Sequence, residues 1–227
     1  RGLKPDGVFV VNAFGGTGGI IRVDPVTGAQ TTVSSGGNFY NPNGLALDAA
    51  GDLWVADDNI GVDKVIRVNP STGAQTVVSS GGNFASLVGI GISPSGEVFV
   101  VDTQAFGGAG GVIRIDPSTG AQTVVSSGGY FADPDGIKFA GNGDLLVADL
   151  NAMGGGAIVR VNPVTGAQSV LSSGGLFADP VQLAVFPGTW VTAATTITNV
   201  APSLALGAVA AVSEGGTATL SGTIADP

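Results

Sequence analysis

The sequence predicts an all-β fold, a β-propeller with four visible four-stranded blades. Three observations carry that prediction. One phrase recurs four times: Ile21-Arg-Val-Asp-Pro-Val-Thr-Gly-Ala-Gln-Thr31, Ile66-Arg-Val-Asn-Pro-Ser-Thr-Gly-Ala-Gln-Thr76, Ile113-Arg-Ile-Asp-Pro-Ser-Thr-Gly-Ala-Gln-Thr123 and Val159-Arg-Val-Asn-Pro-Val-Thr-Gly-Ala-Gln-Ser169. Its arginines, Arg22, Arg67, Arg114 and Arg160, are spaced 45, 47 and 46 residues apart, a period that suits one propeller blade. Between them run short alternating apolar segments rich in Val, Ile, Leu and Phe, as half-buried strands require.

The opening segment, Asp6 to Asn12, reads as the second strand of a blade, by comparison with Ser95 to Asp102; Asn12 stands before Arg22 as Asp57 stands before Arg67. The first complete unit follows. Gly44 to Asp48 is a first strand, Ala49 to Asp52 a tight turn, Leu53 to Asp57 a second strand, and Asp58 to Asp63 a loop. Lys64 to Val68 is a third strand and Ala74 to Ser79 a fourth, joined by Asn69-Pro-Ser-Thr-Gly73. There Asn closes its own turn, Pro presets φ and Gly takes the left-handed position. Ser80-Gly-Gly-Asn-Phe84 then crosses to the next unit. The blades fall near 6–35, 43–80, 88–127 and 135–173, within a propeller spanning 1–188. Such wedges bury their flanks only by stacking on one another.

Pro180-Val-Gln-Leu-Ala-Val-Phe186 reads as a first strand without a second, while the opening blade lacks a first. Two arrangements follow. The 180–186 strand closes a ring by pairing with the N-terminal blade, or the four blades belong to a larger propeller. The start at Arg1 rather than Met is in keeping with a piece of a longer protein. The repeat stops after Phe186; 189–202 reads as a linker and 203–227 as a separate strand-and-turn segment.

Composition narrows the chemistry. The 227 residues contain no Cys and no His, which excludes disulfides, thiolate nucleophiles and His-based triads within this chain. The net charge is −9, an acidic balance that disfavours nucleic acid and anionic lipid, and no apolar run is long enough to insert in a membrane. The 39 glycines fall at repeated turn positions.

Asn43-Gly44, Val88-Gly89, Asp135-Gly136 and Val181-Gln182 open the first strands, which line a propeller's central channel. Asn43 and Asp135 stand at two of these positions, and by their own chemistry residues of both types cap turns by bonding their own backbone. Asn12, Asp57, Asp102 and Asp149 close the second strands, and their fourfold occurrence points to blade building, as it does for the arginines. The loops Ala13 to Gly19, Ala105 to Gly111 and Ala152 to Gly156 are glycine-rich but join two strands, so they are not phosphate loops; they form a candidate recognition surface. Phe39, Phe84, Phe131 and Phe177 recur at blade junctions as packing residues.

Pro42-Asn-Gly-Leu-Ala-Leu-Asp-Ala-Ala-Gly-Asp-Leu-Trp-Val-Ala-Asp57, followed by Val65-Ile-Arg-Val-Asn-Pro-Ser-Thr-Gly73, resembles the NHL repeat and the SMP-30/gluconolactonase-like propellers over 6–186. That resemblance implies a divalent cation such as Ca²⁺ held by Asn43 and Asp135, although Val88 and Val181 stand where further ligands are expected. The tail, Asn199-Val-Ala-Pro-Ser203 through Glu214 to Pro227, resembles the opening strands of PKD and bacterial Ig-like domains. It implies a secreted or surface bacterial protein with further linked domains. The resulting expectation is a non-catalytic binding or display module for a protein or glycan, requiring no cofactor. The alternatives are a divalent-metal hydrolase of the lactonase kind and a structural spacer.

Overall fold

Alternating apolar side chains and regularly placed turns resolve the chain into fifteen strands among the described residues. The computed structural model describes residues 7–13, 18–59 and 61–185. Blade I comprises β1 (Val8–Asn12), β2 (Gly19–Val23) and β3 (Gln30–Ser35). Blade II comprises β4 (Pro42–Leu47), β5 (Leu53–Asp57), β6 (Lys64–Val68) and β7 (Gln75–Ser80). Blade III is β8 (Leu87–Ile92), β9 (Val98–Asp102), β10 (Gly111–Ile115) and β11 (Gln122–Ser127). Blade IV is β12 (Pro134–Phe139), β13 (Leu145–Asp149), β14 (Ala157–Val161) and β15 (Gln168–Ser173). Each blade is an antiparallel sheet whose strands pair in chain order, and the inner strands β4, β8 and β12 lie side by side. The fold is therefore the expected propeller.

One irregularity repeats in every blade. The register between third and fourth strands shifts at Ile20/Ile21, Val65/Ile66, Val112/Ile113 and Ile158/Val159. The extra residue bends the outer strand and raises its twist, which shapes a flat sheet into a wedge. The wedges bury their flanks against one another. Ile20, Phe39, Leu53, Val55, Ile66 and Val68 fill the I–II junction; Trp54, Val65, Leu87, Val98 and Ile113 are among those filling II–III; Phe99, Val112, Phe131, Ile137 and Val147 are among those filling III–IV. Phe39 and Phe131 are buried and Phe84 packs on the II–III core, as their recurrence predicts.

Inner strands approach closely because each carries glycine at the contact. A Cβ at Gly44 would lie 2.6 Å from the Val88 carbonyl oxygen, and one at Gly89 2.1 Å from that of Asp135. Gly136 stands in the same relation to Val181, at 2.6 Å. Residues 181–185 thus lie beside β12, where the first strand of a following blade would run. They form no ladder there, and no pairing joins them to β1. Among the described residues no ladder closes the ring, which is consistent with the four blades belonging to a larger propeller. Phe186, the 189–202 linker and the 203–227 segment lie outside the described residues. By its contacts the chain divides into Arg1–Thr189 and Trp190–Pro227.

Candidate functional site

The repeated polar residues are best taken first, because they hold the scaffold that frames any site. Asp149 is buried and accepts from four backbone N–H groups: Ala132 at 2.9 Å, Asp133 at 3.0 Å, Asn151 at 3.1 Å and Ala152 at 2.7 Å. Asp102 does the same for Ala85, Ser86, Gln104 and Ala105, and Asp57 for Tyr40. Each carboxylate ties the crossing segment to the end of the second strand, and in Asp102 and Asp149 also to the loop that follows, a strong arrangement in a water-poor setting. Burial pushes the Asp57 carboxyl up, against the hydrogen bonds it accepts. The arginines form no cationic ring: Arg67 faces Asp52 at 3.9 Å, Arg114 Glu97 at 3.3 Å and Arg160 Asp144 at 3.8 Å. All three pairs are half-exposed and contribute little stability.

Sequence reasoning missed the role of the glutamine in the repeated phrase. Gln75 of blade II accepts from the Asn38 N–H at 2.7 Å and donates to Ser34 Oγ at 2.9 Å and the Gly36 carbonyl at 3.1 Å, all in blade I or its crossing. Ser34 in turn donates to the Gly73 carbonyl at 2.8 Å. Gln122 clasps Ser79, Gly81 and Asn83, and Gln168 clasps Ser126, Gly128 and Tyr130, in the same way. The recurrence of Gln and Ser-Ser-Gly-Gly was the available signal. Their contact joins residues some forty positions apart.

The axial groove has a volume of about 340 Å³ and is lined by residues of β1, of the inner strands β4, β8 and β12 and by Gln182, among them Val10, Asn43, Leu45, Ile90 and Lys138. Asn43 and Val88 sit where the inner strand skips register, between Pro42 and Gly44 and between Leu87 and Gly89. Asp135 falls inside the equivalent break between Pro134 and Ile137. Bulges of this kind re-aim side chains. The Asn43 amide donates to the Leu87 carbonyl at 3.1 Å, and Asp135 Oδ1 accepts from Gln182 Nε2 at 3.4 Å. Neither residue caps its own turn. Burial, and then Asp133, pushes the Asp135 carboxyl up. Lys138 stands where the other inner strands carry Ala46, Gly91 and Ala184.

This donor set does not by itself fit a hard cation, which takes six to eight oxygens. Asn43 and Asp135 supply an amide and a carboxylate, Val88 and Val181 supply no side-chain oxygen, and Lys138 brings positive charge to the same groove. Among the described residues no three acidic side chains converge on a point that could hold a metal.

The second-to-third-strand loops and the crossing loops share one face of the disk. That face exposes Val62 (47%), Tyr130 (43%), Met153 (64%) and Leu176 (103%). Phe106 and Met153 hold their loops at φ 59° and 57°, left-handed values that cost a non-glycine residue energy.

No family model and no curated protein sequence matches the chain. Solved structures do. A chain of a nidogen/laminin complex superposes with a TM-score of 0.60 at 17% identity, over 77% of this chain and 66% of that one. Virginiamycin B lyase from Staphylococcus aureus gives 0.55 at 17% identity, over 74% and 53%. A gluconolactonase from Xanthomonas campestris gives 0.53 at 15%, over 72% and 55%. These similarities define the class, a β-propeller protein. The match spans about half to two thirds of the length of each of these structures.

Proposed function

We propose that this propeller is a non-catalytic binding or display module of an exported bacterial protein, engaging a protein or glycan through the loop face. The observation that carries this reading is the division of labour among side chains. Asp57, Asp102 and Asp149 are committed to backbone N–H groups, Gln75, Gln122 and Gln168 to the neighbouring blade, and Arg67, Arg114 and Arg160 face carboxylates of their own blades. The loop face meanwhile presents Tyr130, Met153 and Leu176, large apolar groups of the kind that anchor interfaces. Similarity to a chain from a nidogen/laminin complex supports protein binding as a use of this fold, and the resemblance of the tail to PKD and Ig-like domains supports export. Probing protein and glycan arrays with the purified chain tests the reading. Binding that drops about tenfold or more in Tyr130→Ala and Met153→Asp supports it. A chain that binds nothing on either array is a spacer.

A metal-dependent hydrolase is the second reading, favoured by the placement of Asn43 and Asp135 at the bulged ends of inner strands and by similarity to a gluconolactonase. Calcium or manganese titration by calorimetry decides it. Heat that disappears in Asn43→Ala and Asp135→Ala supports a cation site; no heat removes it.

A further inference from the structure

The turn between first and second strands is built alike in blades II and III and differently in blade IV. In blade II Asp48 opens the turn, and its Oδ1 accepts the N–H of Asp52, which closes it, at 2.9 Å. In blade III Ser93 Oγ accepts the Glu97 N–H at 2.9 Å. Blade IV opens with Ala140, which has no side-chain acceptor. There Asn142, at the tip, takes over: its Oδ1 accepts the Asp144 N–H at 3.2 Å and its Nδ2 donates to Asp144 Oδ2 at 2.7 Å. Gly143 follows at φ 89°, with nothing within 4 Å of a hypothetical Cβ. Asn142 is exposed, as are its counterparts Ala50 and Ser95 in blades II and III, so its exposure belongs to the turn and not to the end of the repeat. The sequence holds one other Asn-Gly pair, Asn43-Gly44, inside β4.

We propose that Asn142-Gly143 is a modification site, at which the folded chain converts Asn142 to aspartate and isoaspartate through a succinimide. Hydroxide from solvent takes the Gly143 N–H proton, and the nitrogen attacks Asn142 Cγ. The Cγ–Nδ2 bond breaks, and ammonia leaves with a proton supplied by water. Water then opens the ring at either carbonyl. Overall an amide and water give a carboxylic acid and ammonia, with no oxidation or reduction. The Asp144 N–H, already on Oδ1, stabilises the negative charge that builds there during attack. Gly143 brings no side chain to obstruct it. The Gly143 N–H donates to the Ala140 carbonyl at 2.9 Å, so the reaction proceeds when that bond opens at the hairpin tip. Asn43-Gly44 is protected by comparison. Gly44 is buried, and a Cβ there would lie 2.6 Å from the Val88 carbonyl oxygen, so its backbone moves only if the blade junction does. The new carboxylate stands against Asp144, the partner of Arg160 at 3.8 Å, and the isoaspartate form lengthens the backbone of the hairpin.

Peptide mapping by mass spectrometry, on the full chain incubated at mildly alkaline pH, tests this. In the folded chain the Asn142 peptide is expected to turn to acid about tenfold or more faster than the Asn43 peptide. In urea, where both pairs lie in open chain, the two should react at similar rates. Ala140→Asp supplies the acceptor that Asp48 provides in blade II and so competes for the Asp144 N–H. It is expected to slow the Asn142 reaction about tenfold in the folded chain, with unchanged circular dichroism and an unchanged rate in urea. A folded wild-type chain in which Asn142 stays intact, or reacts no faster than Asn43, overturns the proposal. So does a folded Ala140→Asp chain that reacts at the wild-type rate.

Discussion

The junction between blades II and III differs from its neighbours at one paired position, and the difference shows how a repeat tolerates change. At three places a glycine ending the second-to-third-strand loop meets a proline opening the next inner strand. A Cβ on Gly18 would sit 2.3 Å from Pro42, on Gly110 2.8 Å from Pro134 and on Gly156 2.4 Å from Pro180. Proline has no N–H, so nothing need accept there. At the II–III junction the same positions hold Asp63 and Leu87. Leucine brings a buried N–H, and Asp63 Oδ2 accepts it at 3.1 Å while Oδ1 accepts the Asn59 N–H at 2.9 Å. Asp63 is only 5% exposed, and burial pushes its carboxyl up, with Asp58 and Asp102 nearby adding to the shift. Both members of the pair have changed, and the polar accounting still closes.

The largest effect that probes this comparison comes from the backbone contact common to all junctions. Gly89→Ala places a methyl 2.1 Å from the Asp135 carbonyl oxygen, backbone against backbone. A loss of about 3 kcal/mol or more is expected in urea unfolding. Gly141→Ala, where a Cβ meets nothing within 4 Å, is the control and should change stability by less than about 0.5 kcal/mol. Equal effects at the two positions would contradict close packing of β8 on β12.

The second effect separates the two kinds of junction. Asp63→Gly alone leaves the Leu87 and Asn59 N–H groups without their acceptor and should cost about 2–3 kcal/mol. Leu87→Pro alone strips Asp63 of one donor and removes a buried side chain. The double variant recreates the Gly–Pro pair, so it should recover about 1 kcal/mol or more relative to the sum of the singles. Strict additivity in this cycle would mean that the two residues do not act as a pair.

The smallest effect is on pH dependence. Asp57, Asp58, Asp63 and Asp135 are raised, chiefly by burial, so the folded state prefers them protonated. Their contribution is full at low pH and is lost as pH rises through the raised values. Asp24, Asp48 and Asp116 are lowered, Asp116 to about 2 from 3.8, by hydrogen bonds from nearby N–H and side-chain donors. Their contribution is present above 3.8 and is lost as pH falls toward about 2. The melting temperature should therefore rise on acidification from neutrality, as the raised groups take up protons, and fall again as pH drops toward the value of about 2 at which Asp116 protonates. A maximum at neutral pH would show that the buried aspartates are not the controlling groups.

Much of the fold was legible because it is local. Four strands per repeat, the Asn-Pro-Ser-Thr-Gly hairpin at 69–73 and the building role of Asp57, Asp102 and Asp149 all follow from alternation, turn chemistry and recurrence. What stayed hidden depends on neighbours remote in sequence. The bulges at Asn43 and Asp135 are invisible in a period-two pattern, because the skipped residue still looks like part of the strand. The link from Gln182 to Asp135 spans 47 residues. Asp63 looked like a loop acid until Leu87 was placed against it. Residues 180–186 carried the right pattern for a strand, yet 181–185 lie beside β12 without a ladder, since alternation specifies a face and not a partner.

The central claim is that the repeated polar residues fasten blade to blade. The most direct measurement is urea unfolding of Gln75→Ala, Gln122→Ala and Gln168→Ala beside Gln30→Ala, at a concentration where the chain is monomeric. Each internal glutamine makes three cross-blade hydrogen bonds, so each of those variants should lose about 1–3 kcal/mol, while Gln30→Ala stays within about 0.5 kcal/mol of wild type. Four equal losses, or none, would contradict it.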